Sequence, residues 1–154
     1  MTGTRIAGGL LAIVTLTAAT ACSASDQSVH AKTPTAAVTS KHPTETAKPL
    51  LQQALPNVKG KTFTSVVVDF PPKARAVPHR HGKAFVYAYV LEGTVRSRLA
   101  GKPASTYRQG EYWVERPGAH HVLTENISRT ERAKLLVVYV SNTGDKLKVD
   151  DPRS

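Results

Sequence analysis

The run Thr62–Phe70, TFTSVVVDF, is rich in β-branched residues and stops at Pro71-Pro72, which predicts a strand. Phe85–Leu91 is apolar at every position, the pattern of a strand buried on both faces. Thr94–Leu99, TVRSRL, alternates, with Val95, Ser97 and Leu99 on one side and Thr94, Arg96 and Arg98 on the wet side. Gly101-Lys102-Pro103 and Pro117-Gly118 are turns, with a short strand at Tyr112–Glu115 between them. His121–Thr124 and Lys134–Ser141 complete the set, and Asn142-Thr143-Gly144 ends it. Strands that recur about every ten residues between turn signals predict an all-β sandwich or barrel. No stretch from Leu51 onward keeps a helical period, and Leu50–Leu55, LLQQAL, fits either one helical turn or an extended entry strand.

The pattern upstream is different. Met1–Arg5 carries one positive charge, and Ile6–Ala21, IAGGLLAIVTLTAATA, is apolar or small throughout. A charged start followed by such a run reads as a secretory signal, and it is short for a membrane span, which needs about 20 residues. The single cysteine, Cys22, follows directly. Its surroundings, ATAC, resemble a bacterial lipobox with Ala19 where a leucine is usual, which implies lipidation at Cys22. With one cysteine there is no intramolecular disulfide. Ser23 to about Pro49 is Thr, Ala, Ser, Pro and Lys with almost no large apolar residue, so it reads as a disordered tether. His30 and His42 fall in it and are assigned no role. The expected organisation is a signal peptide at 1–21, a tether at 22–50, a β-barrel domain at 51–145 and a polar tail at 146–154.

Charge narrows the partners. The chain has a formal net charge of +10, and Leu51 onward holds 17 Lys and Arg against 9 Asp and Glu. These cations are scattered singly rather than in a stripe, which argues against nucleic acid. For an exported chain, anionic lipid, wall polymer or a small anion is the more natural counterpart, and a merely solvated basic surface explains the charge equally well.

Four of the six histidines form two groups, His79 with His81 and His120 with His121. Residues two apart in a strand share a side, so His79 and His81 can reach one point while Arg80 faces away. Adjacent residues cannot both face that point, so one histidine of the second group is expected there. Imidazole ligates Zn, Cu, Fe and Ni. An HxH pair alone is also common on exposed strands.

The segments PHRHGKAFVYAYVLEG and GEYWVERPGAHHVLTEN resemble the two motifs of the cupins, of the small single-domain type 2. His79, His81 and Gly93 fit the first motif, and Gly110, Gly118 and His121 fit the second. The resemblance covers about Thr62–Val140 and implies a jelly-roll barrel holding a divalent metal on His79, His81 and His121. Three positions depart from the pattern. The first motif's glutamate position, counted back from Gly93, is Val86, which cannot ligate. Arg116 stands at a proline position, and Glu125 stands where an asparagine is usual, with Asn126 one later. Full-set members use three histidines and a glutamate. Without it the site is three neutral imidazoles, suited to Zn, Cu, Fe or Ni and poorly to Mn. Glu92, Glu111, Glu115 and Glu125 lie near the motifs, and nothing in the residues singles one out as a substitute.

The resemblance implies two functions of different class. One is a metal-dependent small-molecule enzyme, dioxygenase- or isomerase-like. The other is a non-enzymatic, envelope-tethered module that binds a metal or a small ligand. A metal-free barrel with packed histidines is a third. The expected partners are an unidentified small molecule and the membrane, through the N-terminal lipid, with no nucleic acid; a homodimer is compatible with all of this. The expected location is the bacterial cell envelope.

Overall fold

The computed structural model describes residues 42–152. The signal segment, Cys22 and most of the tether lie outside the described residues. Ten strands form two five-stranded antiparallel sheets: β1 (Thr46–Ala54), β2 (Lys61–Phe70), β3 (His79–Arg80), β4 (Phe85–Glu92), β5 (Thr94–Leu99), β6 (Ser105–Arg108), β7 (Tyr112–Glu115), β8 (His120–Asn126), β9 (Ala133–Asn142) and β10 (Val149–Asp150). One sheet runs β1-β2-β9-β4-β7 and the other β10-β3-β8-β5-β6. No helix forms among the described residues. The architecture is all-β, as the strand spacing predicts, and is the jelly roll that the resemblance implies.

Alternation puts the core between the sheets. Val66, Val68 and Phe70 of β2, Val86, Ala88 and Val90 of β4, and Leu135, Val137 and Tyr139 of β9 all point inward and are buried. β5 adds Val95 and β7 adds Trp113.

Three readings are corrected. β4 is not buried on both faces: Phe85 is 40 % exposed, while Val86 beside it is 1 % exposed. Its outward aromatics cover one another instead, with Tyr87 packed on Tyr112 at 5.3 Å between ring centroids. An antiparallel sheet with one uncovered face needs no second burial. Leu50–Leu55 takes the extended alternative, and its strand β1 begins already at Thr46, four residues inside the segment read as tether. β1 is exposed along its length, so its placement comes from ladder bonds to β2 rather than from apolar burial, which the composition does not reveal. The tail is also part of the fold: Val149 and Asp150 pair with Arg80 and His79, and Leu147 packs on the core.

Two residues hold the corners. Gly93 joins β4 to β5, and so one sheet to the other, with φ +74°; a Cβ there would lie 2.4 Å from the Arg132 carbonyl oxygen. Asn126, at the end of β8, donates to the carbonyls of Phe70, Pro71 and Glu131 and accepts from Ser128 N–H. A buried amide that satisfies four backbone partners ties the end of β2 to the β8–β9 connection.

Gly93→Ala should lower stability by more than about 3 kcal/mol, combining left-handed strain with a clash against fixed backbone. Gly101→Ala, at the same φ of +74° with open space around it, should cost only about 1 kcal/mol. Chemical denaturation of both variants measures the difference, which isolates the Arg132 contact.

Candidate metal centre

β3 and β8 place the histidines. His79 pairs directly across the ladder with His121, and His81 follows His79 by two, so all three turn inward. The turns that carry them are tied by Gly118 N–H donating to the Gly82 carbonyl at 2.7 Å. All three side chains are buried, and one ligand atom from each lies within 4.8 Å of the others. The ring centroids of His79 and His81 are 4.7 Å apart, and those of His79 and His121 are 5.1 Å apart.

The outer nitrogen of each ring is anchored. His79 Nδ1 lies 2.7 Å from the Val77 carbonyl oxygen, and His81 Nδ1 lies 2.5 Å from that of Leu147. A carbonyl only accepts, so both Nδ1 atoms carry the proton and both Nε2 atoms keep a lone pair. His121 is turned the other way. Its Nε2 meets Ser97 Oγ at 2.8 Å and Thr124 Oγ1 at 2.7 Å. Ser97 and Thr124 are themselves cross-strand partners. A hydroxyl can donate or accept, so these contacts hold the ring in either tautomer, with Nδ1 facing inward. Anchoring the outer nitrogen in this way is what orients metal-binding imidazoles.

Burial keeps the His79 and His81 rings neutral. Burial pushes His79 down to about 4, and the Val77 hydrogen bond only partly offsets this. Burial likewise lowers His81, against the raising effects of the Leu147 carbonyl and Glu115. Neutral imidazole is the form that ligates.

His120 is not part of the centre. It pairs with Arg80 on the outer side, where Arg80 donates to its Nδ1 and Asp151 lies 2.6 Å from its Nε2. The adjacency of the two histidines predicted this division.

Of the four glutamates near the motifs, which the sequence alone could not rank, Glu115 is the one at the centre. It is 2 % exposed. Its Oε1 accepts from the Trp113 indole N–H at 3.1 Å and lies 2.9 Å from His121 Nδ1; its Oε2 lies 3.8 Å from His81 Nε2. Burial pushes the Glu115 carboxyl up, but His121, His81 and the indole N–H outweigh it and hold the group below its ordinary range. The readable signal was its register: Glu115 shares a side with Trp113, two residues before it. By contrast, Glu92, Glu111 and Glu125 pair outside, with Lys134, the Arg108 N–H and Arg96. The Ser97 and Thr124 hydroxyls and the Leu147 carbonyl also went unread.

The centre opens on a cavity of about 240 Å³ between the sheets. Its walls are mostly apolar, including Val66, Val68, Phe70, Leu135 and Val137, with Tyr139 beside His81. Burial, reinforced by Glu115, raises Tyr139, so it stays a neutral phenol. Lys148 also lines the cavity, paired with Glu45 at 2.8 Å and Asp150 at 2.9 Å. Trp113 also lines the cavity, whereas Phe85, Tyr87, Tyr89 and Tyr112 do not.

Residues 66–139 match the Cupin_2 family, described as "Cupin domain". Residues 66–139 form a cupin domain. No curated protein sequence matches the chain. Among solved structures it is similar to the cupin domain of Schizosaccharomyces pombe Cnp3, at 16 % identity and TM-score 0.53, over 64 % of this chain and 62 % of that one. It is similar to oxalate oxidase in complex with the substrate analogue glycolate, at 24 % identity and TM-score 0.50, over 57 % and 45 %. It is also similar to the DMSP lyase DddQ of Ruegeria pomeroyi DSS-3, at 19 % identity and TM-score 0.57, over 69 % and 51 %. The cupin therefore spans about half to three-fifths of the length of these proteins. At these identities the likeness is one of fold.

The donor set fits a divalent metal. Three neutral imidazoles turn lone pairs inward, and among the described buried atoms His121 Nδ1 and Glu115 Oε2 have no hydrogen-bond partner. Such atoms are costly to bury unless something else satisfies them.

The metal-free cupin should lose stability in acid. His79 takes a proton near its ordinary 6.5 when unfolded and only near 4 when folded. Between those values the unfolded chain binds more protons, so stability falls as pH drops from 6.5 to 4, by up to about 3 kcal/mol from this residue. Glu115 adds a loss of the same sign as pH falls through its depressed folded value. Denaturant melts with chelator at pH 7.5 and 5 should show the drop, and His79→Gln should flatten it.

Proposed function

We propose that this cupin binds one divalent metal ion on His79, His81 and His121 and presents it to a small molecule in the cavity beside it. The observation that carries the reading is the arrangement of the three rings, each tethered at its outer nitrogen and each with its inner nitrogen free. Zn, Cu, Fe and Ni are the ions such a set favours. The bound ion would supply a Lewis acid, polarising an oxygen of the ligand.

The chain's own residues do the rest. The apolar walls exclude water and admit a molecule of a few carbon atoms. Trp113 and Tyr139 present a flat face and a neutral phenol to it. Lys148 is paired with both Glu45 and Asp150, so that wall carries no free cation. This arrangement supports a metal-dependent enzyme acting on a small organic molecule, dioxygenase- or isomerase-like. A second reading is a binder without turnover, favoured by how few proton-transfer groups the cavity holds.

The N-terminal pattern supports an exported protein held at the cell envelope by lipid on Cys22, with the tether between lipid and barrel. The outward-facing Phe85, Tyr112 and Val114 on the first sheet, 40, 58 and 45 % exposed, support pairing with a second copy through that face.

Protein purified without a polyhistidine tag should carry about one equivalent of metal by elemental analysis. His79→Ala combined with His121→Ala should remove it and abolish the metal-dependent rise in melting temperature. Substoichiometric metal, with a melting temperature indifferent to chelator, would overturn the reading. Separately, Cys22→Ser should move the protein from the membrane to the soluble fraction; continued full partitioning with membranes would rule out lipid anchoring at that residue.

A further inference from the structure

The cupin pattern places a carboxylate at position 86, and this chain has Val86 there, inward and buried. Val86 has a direct cross-strand partner in β7, and that partner is Glu115. Residues opposed in an antiparallel ladder put their side chains on the same face, with Cβ atoms about 5 Å apart. A carboxylate lost from one strand is therefore available one strand over, at the same height of the barrel and on the same side.

The geometry points to Glu115 as the fourth ligand of the metal, supplied from β7 in place of the missing ligand of β4. This rests on the metal-binding reading above and names a residue that reading does not use.

Three observations carry it. The carboxylate faces two of the free nitrogens: Oε1 is 2.9 Å from His121 Nδ1, and Oε2 is 3.8 Å from His81 Nε2. Close as it is, the Oε1 approach does not satisfy His121: Nδ1 has no hydrogen-bond partner, and neither has Glu115 Oε2. On the far side of the ring Ser97 and Thr124 each bring a hydroxyl to Nε2. With the His121 proton held there, Nδ1 and the carboxylate face each other as lone pairs, and a shared cation satisfies both at once. Finally, the carboxylate is held in place by the Trp113 indole N–H, at 3.1 Å from Oε1, much as ligating carboxylates are held by outer hydrogen bonds.

The consequence is a change in what the site accepts. Three imidazoles alone suit softer and borderline ions. A carboxylate adds one negative charge and a hard oxygen, which strengthens Fe(II) binding and extends the range to Mn(II).

The test is metal affinity, read by competition titration with Mn(II), Fe(II) and Zn(II) on full-length protein. Glu115→Gln keeps size and hydrogen-bond reach while removing the charge. It should weaken Mn(II) and Fe(II) binding by about 100-fold or more, and Zn(II) binding less. The double variant Val86→Glu, Glu115→Val returns the carboxylate to β4 and should recover Mn(II) affinity to within about tenfold of the starting protein. Equal affinities in Glu115→Gln and the starting protein would overturn the assignment, as would an equal loss for all three ions. Should either variant fail to fold, a crystal structure of the unaltered protein with Zn(II) decides: Glu115 oxygen at about 2.1 Å from the ion supports the assignment, and one beyond about 3 Å overturns it. If the unaltered protein binds no metal at all, the three-histidine reading has failed first. If it binds metal that the histidine substitutions remove but Glu115→Gln does not weaken, only this inference has failed.

Discussion

A buried polar atom must have a partner, and a barrel lined by Val, Leu and Ala supplies few. Most of the site's construction follows from this constraint. The protein places three imidazoles and a carboxylate among apolar neighbours and then gives each an outer hold: the Val77 and Leu147 carbonyls, the Ser97 and Thr124 hydroxyls, and the Trp113 indole. Those holds point the remaining lone pairs toward one another. The arrangement is stable only with the rings uncharged, and burial keeps His79 and His81 so. Desolvation thus both threatens the fold and prepares the site.

The sheet architecture supplies the height at which these groups meet. His79 opposes His121 in one sheet, and Val86 opposes Glu115 in the other. The Gly93 corner, closed against the Arg132 backbone, turns the chain from the first sheet into the second. The site therefore draws on both layers of the jelly roll and depends on their packing rather than on any single loop.

How much of this was legible in the sequence depends on the range of the interaction. β2, β4, β5, β7, β8 and β9 follow from alternation and turn residues, while β6 at Ser105–Arg108 went unread; His79, His81 and His121 follow from spacing and parity. Both are local signals. Glu115 was not legible because its relation to Val86 runs across a ladder between residues 29 positions apart, and only register reveals it. β1 was missed at its start because Thr46–Pro49 is polar and exposed, joined by backbone bonds that any side chain allows. The tail was read as loose for the same reason: its contribution to the centre is the Leu147 carbonyl, and a backbone atom carries no compositional trace.

That carbonyl also sets an order of assembly. Leu147 lies 66 residues after His81, and β10 beside it borders β3, the short strand that carries His79. A chain that has completed both histidine motifs still lacks the carbonyl that fixes the His81 tautomer. The centre is thus complete only once β10 has paired with β3. The two histidine motifs alone do not build it, because one of its holds is a backbone atom from far along the chain.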